Sequence, residues 1–176
     1  GGLNGPKATI SGGGAALRDG YGDRLYFRCG DTFVGDMNNG GSGWAKSGAS
    51  TTRPIIVSSY GTGARPILDV QGSLYFFQPR WGGAGAVDHL WFVGLEITSS
   101  TYTGVAQTRA FMWTWANMDL LVEDCYIHNF SLGLELNGNQ FGRISDLRIR
   151  GSTIADMYRN QSGNAGAHGS YVDDAD

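Results

Sequence analysis

At 176 residues the chain has the length of one domain with room for a real core. Its hydrophobic content of 41% fits a globular protein, and no apolar run approaches the ~20 residues of a membrane span. Net charge is −3 with no basic cluster, which argues against a nucleic-acid partner, while 16% charged residues and 29 glycines favour strands and turns over helices.

In chain order, GGLNGPKAT opens without methionine or a signal peptide, so an upstream portion is expected to have been removed. TISGGGAALRDG (Thr9 to Gly20) carries Ile10, Ala16 and Leu17 at helical spacing and predicts a short capping helix within 9–20. DRLYFRCGDTFVG (Asp23 to Gly35) reads as strands with glycine corners. Residues 36–51 form a Gly/Ser/Asn-rich loop excursion, whose Trp44 and Lys46 are placed to overhang a groove. RPIIVSSYGTGARPILDV (Arg53 to Val70) returns to strands and corners.

From there the chain repeats itself. HLWFVGLEI (His89 to Ile97), DLLVEDCYI (Asp119 to Ile127) and DLRIRGSTI (Asp146 to Ile154) align position by position. Leu90, Leu120 and Leu147 coincide, as do Phe92, Val122 and Ile149, and then Ile97, Ile127 and Ile154. Alternation on both sides of a corner means two short strands per phrase. The opposite phase (Trp91, Leu121, Arg148, then Val93, Glu123, Arg150) reads as an outer surface with Glu123 and Arg150 adjacent. A second series, FMWTWA (Phe111 to Ala116), GLELNG (Gly133 to Gly138) and GSYVDD (Gly169 to Asp174), supplies a third strand. A unit of three short strands cannot bury its own apolar side, so the units must stack. The expected fold is an all-β, right-handed parallel β-helix of about four to five coils, one domain over 1–176. A leucine-rich repeat would need a helical return leg, and a β-sandwich would not repeat its phrases.

The run ALRDGYGDRLYFRCGDTF, then IIVSSYGTGARPILD and NMDLLVEDCYI, resembles bacterial right-handed parallel β-helix proteins of the pectin-lyase-like superfamily. It looks most like the large secreted or surface β-helix proteins of planctomycete-type bacteria. The resemblance covers nearly the whole chain and implies an extracellular or cell-surface location and a polysaccharide or glycan partner. The superfamily holds lyases, glycoside hydrolases and non-catalytic adhesins, and no catalytic signature of one family matches here. The chain stops at YVDDAD (Tyr171 to Asp176) where the next phrase is due, which reads as a fragment with coils missing beyond 176.

Candidate chemistry lies on the third strand series. In GLELNG, Leu134 and Leu136 point inward, leaving Glu135 and Asn137 outside. Counting back the family's usual ~11 residues from the next phrase, as the resemblance implies, turns Met112 and Thr114 inward and Trp113 and Trp115 outward. The alternative is a one-residue shift that puts Phe111, Trp113 and Trp115 in the core. Val172 faces in, with Tyr171 and Asp173 out. Aromatic faces stack on sugar rings while carboxylates and amides bind hydroxyls, so Trp113, Trp115, Asn137, Tyr171 and Arg109 are substrate-binding candidates. Glu135 and Asp173 are the acid–base pair and His168 the functional histidine. A lyase would draw its base from Arg109, His168 or Tyr171. No cofactor is required; Ca²⁺ would take oxygens from Asp173, Asp174 and Asp176, although DDAD also reads as a solvated turn. His89 and His128 belong at corners. Cys29 and Cys125 are buried free thiols or a disulfide. A non-catalytic surface or structural β-helix is the alternative function.

Overall fold

The computed structural model describes residues 5–38, 42–80, 86–114, 117–137, 142–159 and 168–173, the last as backbone and register. It is mostly β, built of three parallel sheets. After helix α1 (Ile10–Ala16) come β1 (Arg24–Arg28) and β2 (Thr32–Val34). Three strands follow, β3 (Ile55–Tyr60), β4 (Ile67–Asp69) and β5 (Tyr75–Phe77), and then β6 (Leu90–Val93), β7 (Glu96–Thr98) and β8 (Arg109–Thr114). Next are β9 (Asn117–Glu123), β10 (Tyr126–His128) and β11 (Leu132–Asn137), then β12 (Ile144–Arg150), β13 (Thr153–Ala155) and β14 (His168–Asp173).

The chain visits the sheets in rotation. The first has the order β1-β3-β6-β9-β12, the second β2-β4-β7-β10-β13 and the third β5-β8-β11-β14, all pairs parallel. Register sets like beside like. Leu90, Leu120 and Leu147 are successive partners, as are Phe92 and Val122 with Ile149, and Ile97 and Ile127 with Ile154. These columns bury Leu90, Leu120, Phe92, Val122, Ile97 and Ile127 completely. Ile149 on the last strand of the first sheet is 44% exposed, because nothing among the described residues stacks beyond it.

The corners explain the polar letters of each phrase. His89, Asp119 and Asp146, which open the phrases, have φ of 57°, 54° and 53°; at the break, Asp124 has φ 51° and Gly94 and Gly151 have φ 71° and 58°. This left-handed region costs most side chains about 1–2 kcal/mol, whereas Gly, Asp and Asn occupy it more readily. The repeat is therefore a turn requirement as much as a core requirement.

Helix α1 starts at Thr9, whose Oγ1 accepts the Gly12 amide at 3.0 Å. Its glycines allow close packing: a Cβ on Gly13 would meet Leu25 Cδ1 at 2.8 Å, and one on Gly14 would meet the Trp44 ring at 3.0 Å. At its other end Lys46 Nζ donates to the carbonyls of Gly14, Ala15 and Leu17 at 2.7–2.9 Å. Trp44 and Lys46 thus differ from the expected overhang. Trp44 is buried against Phe77 (centroids 6.1 Å apart) and bridges Pro79 in parallel, so it joins the core beside the third sheet. Cys29 and Cys125 are both free, the second buried.

Candidate functional site

On the third sheet, β11 carries Leu134 inward and Glu135 on the opposite face, as alternation requires. Its register puts Glu135 beside Tyr171 and Asn137 beside Asp173 of β14, and Leu132 beside His168. On the other side Glu135 pairs with Met112 and Asn137 with Thr114, while Trp113 pairs with Leu136. The outward placement of Trp113 is therefore corrected. Trp113 is 0% exposed and lies flat on Phe111, which in turn packs edge-on against Phe92 at 4.8 Å. Burying two large aromatic faces outweighs any gain from displaying them, so the strand takes the register that the repeat count misses by one residue.

The face that carries Glu135 is also less open than alternation implies. Met112, Thr114 and Glu135 are all buried, Glu135 at 6% exposure. Arg109 makes an ion pair with Glu135 through Nε and Oε2, and Asn137 Nδ2 donates to Glu135 Oε1 at 2.9 Å. Arg109 Nη1 also donates to the Tyr75 hydroxyl at 3.3 Å, with the guanidinium 5.2 Å from that ring. Burial pushes the Arg109 guanidinium below its ordinary value; Tyr75 opposes this and Arg159 adds to it. Arginine nevertheless stays charged. Both oxygens of Glu135 are thus engaged, and the arrangement holds a carboxylate still rather than offering it to solvent. The structure brings together Arg109, Glu135 and Asn137. The backbones of His168, Tyr171 and Asp173 lie on the neighbouring strand. Trp115, Asp174 and Asp176 lie outside the described residues. Among the described residues, no three His, Cys, Asp or Glu side chains converge as a metal group.

The outer face of the first sheet is open instead. Tyr26 on β1 is 46% exposed and Tyr60 on β3 is 53% exposed. Tyr26 stands beside Ser58 and Tyr60 beside Arg28, and the half-buried Trp91 follows on β6. Arg150 and Glu123 pair at 3.2 Å on the same face, as the alternation predicts. Asp119, buried, fixes this surface from below: His89 Nδ1 lies 2.9 Å from its Oδ2, while Trp91 Nε1 (3.3 Å) and Arg148 donate to Oδ1. Arg148 sits 5.6 Å over the Trp91 ring. The outward phase of the phrases signals Trp91, Arg148 and Arg150; Tyr26 and Tyr60 fall in the less repetitive first third and carry no phrase signal.

The second sheet shows one further ionisable pair. His128 Nε2 is 3.1 Å from Glu96 Oε1, and Tyr126 stacks on the imidazole with centroids 4.3 Å apart. His89 and His128 do sit at strand ends, each with a carboxylate partner. Comparison of the chain with protein-family models, with curated proteins and with solved structures finds no match. Among the described residues, no helix is long and apolar enough to cross a membrane.

Proposed function

We propose that the chain is a stretch of right-handed parallel β-helix, with α1 as its cap, that binds a polysaccharide at a bacterial cell surface or outside the cell. One observation carries this reading: the outer face of the first sheet presents Tyr26, Tyr60 and the half-buried Trp91 among arginine and carboxylate side chains. Aromatic faces stack on the apolar faces of sugar rings while the guanidinium and carboxylate groups between them meet hydroxyls. Binding without cleavage is favoured over a lyase or hydrolase, because both oxygens of Glu135 are held by Arg109 and Asn137.

The test is affinity electrophoresis against neutral and uronate polysaccharides, with reducing-end and 232-nm assays beside it. Tyr60→Ala is expected to weaken retention about three- to tenfold, the worth of one stacked aromatic. Retention by no polysaccharide, or retention indifferent to Tyr60→Ala and Trp91→Phe together, overturns the reading. Cleavage that Glu135→Gln or Asp173→Asn abolishes would restore the catalytic alternative.

A further inference from the structure

Between β1, α1 and residues 5–7 lies a cleft of about 580 Å³. Asp23, Arg24, Leu25 and Tyr26 line it in succession, so it runs along β1, and β1 is the edge of the first sheet. Successive residues of a parallel strand turn their backbone groups to opposite edges. Ile56 N donates to Asp23 O at 3.0 Å and Cys29 N to Tyr60 O at 2.9 Å, so the odd-numbered residues face β3. The amides and carbonyls of Arg24 and Tyr26 then face the cleft, and among the described residues no backbone bond meets them there. The floor is apolar, with Leu17 and Leu25. Arg18 and Arg24 stand at the cleft, and Asp23, the carboxylate beside them, is held by Arg18 in a bidentate pair at 2.6 and 3.0 Å, which leaves Arg24 to meet an incoming carboxylate.

We infer that this cleft is a docking site for an extended acidic peptide, which adds as a further strand on the free edge of β1. An edge that alternates N–H and C=O is matched on both counts, and at the strand's own spacing, by a peptide backbone. The side chains sort by alternation. An apolar residue level with Leu25 turns inward onto Leu17 and Leu25, and its neighbours turn outward beside Arg24, where carboxylates complete the charge. The preferred sequence therefore alternates acidic and apolar residues. This site meets the glycan face at Tyr26, but its test reads backbone amides of β1, whereas the glycan test uses Tyr60 and Trp91.

The experiment follows amide hydrogen exchange in the full chain with a capped hexapeptide alternating glutamate and valine as the probe. In the protein alone the Arg24 and Tyr26 amides exchange freely, and saturating peptide slows both at least about tenfold. Arg24→Glu, or N-methylation of the peptide backbone, weakens binding by about tenfold or more. The proposal fails if those two amides are already protected without peptide, since the chain itself then occupies the edge. It fails equally if the N-methylated peptide, or a lysine–valine peptide, binds as well as the original. Protection of the same amides by a polysaccharide but not by the peptide would also overturn it.

Discussion

Trp113 lies parallel to Phe111 inside the core, with ring centroids 5.0 Å apart and planes 16° apart. Its indole Nε1 is buried without a hydrogen-bond partner among the described residues. The residue is thus held by packing alone, at the cost of one orphaned donor. Trp113→Ala is expected to cost about 3–5 kcal/mol in denaturant unfolding, through lost contact and the cavity left behind. Trp113→Phe removes the orphan N–H along with part of the ring and is expected to cost clearly less than the alanine change. A loss of glycan retention in folded Trp113→Phe, with stability intact, would return the residue to the binding surface.

The pair Arg109–Glu135 predicts a strongly non-additive cycle. Each side chain is nearly inaccessible, with 12% and 8% of its surface exposed. Removing Glu135 alone strands a buried guanidinium and is expected to cost about 3–5 kcal/mol. Replacing both, as Arg109→Met with Glu135→Leu, is expected to be near neutral, since the desolvation penalty disappears with the charges. Additive losses across the four proteins, measured by urea unfolding, would show that the two side chains do not act as a buried pair.

These two cases mark where the sequence stops being legible. The inward columns and left-handed corners recur at fixed places in each phrase, so His89, Asp119 and Asp146 align on sequence alone. The third sheet could not be reached by the same counting. Ten residues, Ser99 to Thr108, separate β7 from β8, but only Asn129 to Ser131 separate β10 from β11. A register carried across unequal connections slips by one, and one residue reverses every side chain. The pairing of Glu135 with Arg109 on the neighbouring strand is likewise invisible locally, as are other contacts between distant segments. Tyr102 and Tyr158, 56 residues apart, each donate a hydroxyl to the other's carbonyl at 2.8 and 2.6 Å. Trp44 was hidden for another reason: with Met37 it anchors to the core a stretch whose composition reads as solvent-exposed loop.

Asp23 gives a prediction in pH. Hydrogen bonds from Arg18 hold its carboxyl below the ordinary range, with burial opposing and the Arg18 amide assisting. A carboxyl depressed in the folded state binds fewer protons there than in the unfolded chain. Its stabilisation is therefore full above the unfolded value of about 3.9 and is lost as pH falls through the folded value. The Tm gap between the wild type and Asp23→Asn is expected to stay constant above about pH 5 and to close towards pH 2. A gap of constant size over that whole range would contradict the assignment.

The two cysteines should react very differently. Cys125 Sγ is packed 3.7 Å from Phe92 O and 3.3 Å from Glu123 O, and burial pushes its thiol up to about 11. At pH 8 only roughly one molecule in a thousand then carries the thiolate that attacks an alkylating reagent. Cys29 follows β1 at the corner and is only partly buried. Iodoacetamide under native conditions is expected to modify Cys29 alone, as read by intact mass and peptide mapping. Labelling of Cys125 is expected to appear only as urea carries the protein through its unfolding transition, at a rate that tracks opening of the core. Labelling of both at similar rates in the native state would mean that the Phe92–Cys125 region opens to solvent without global unfolding, and that the column it belongs to is not a continuous core.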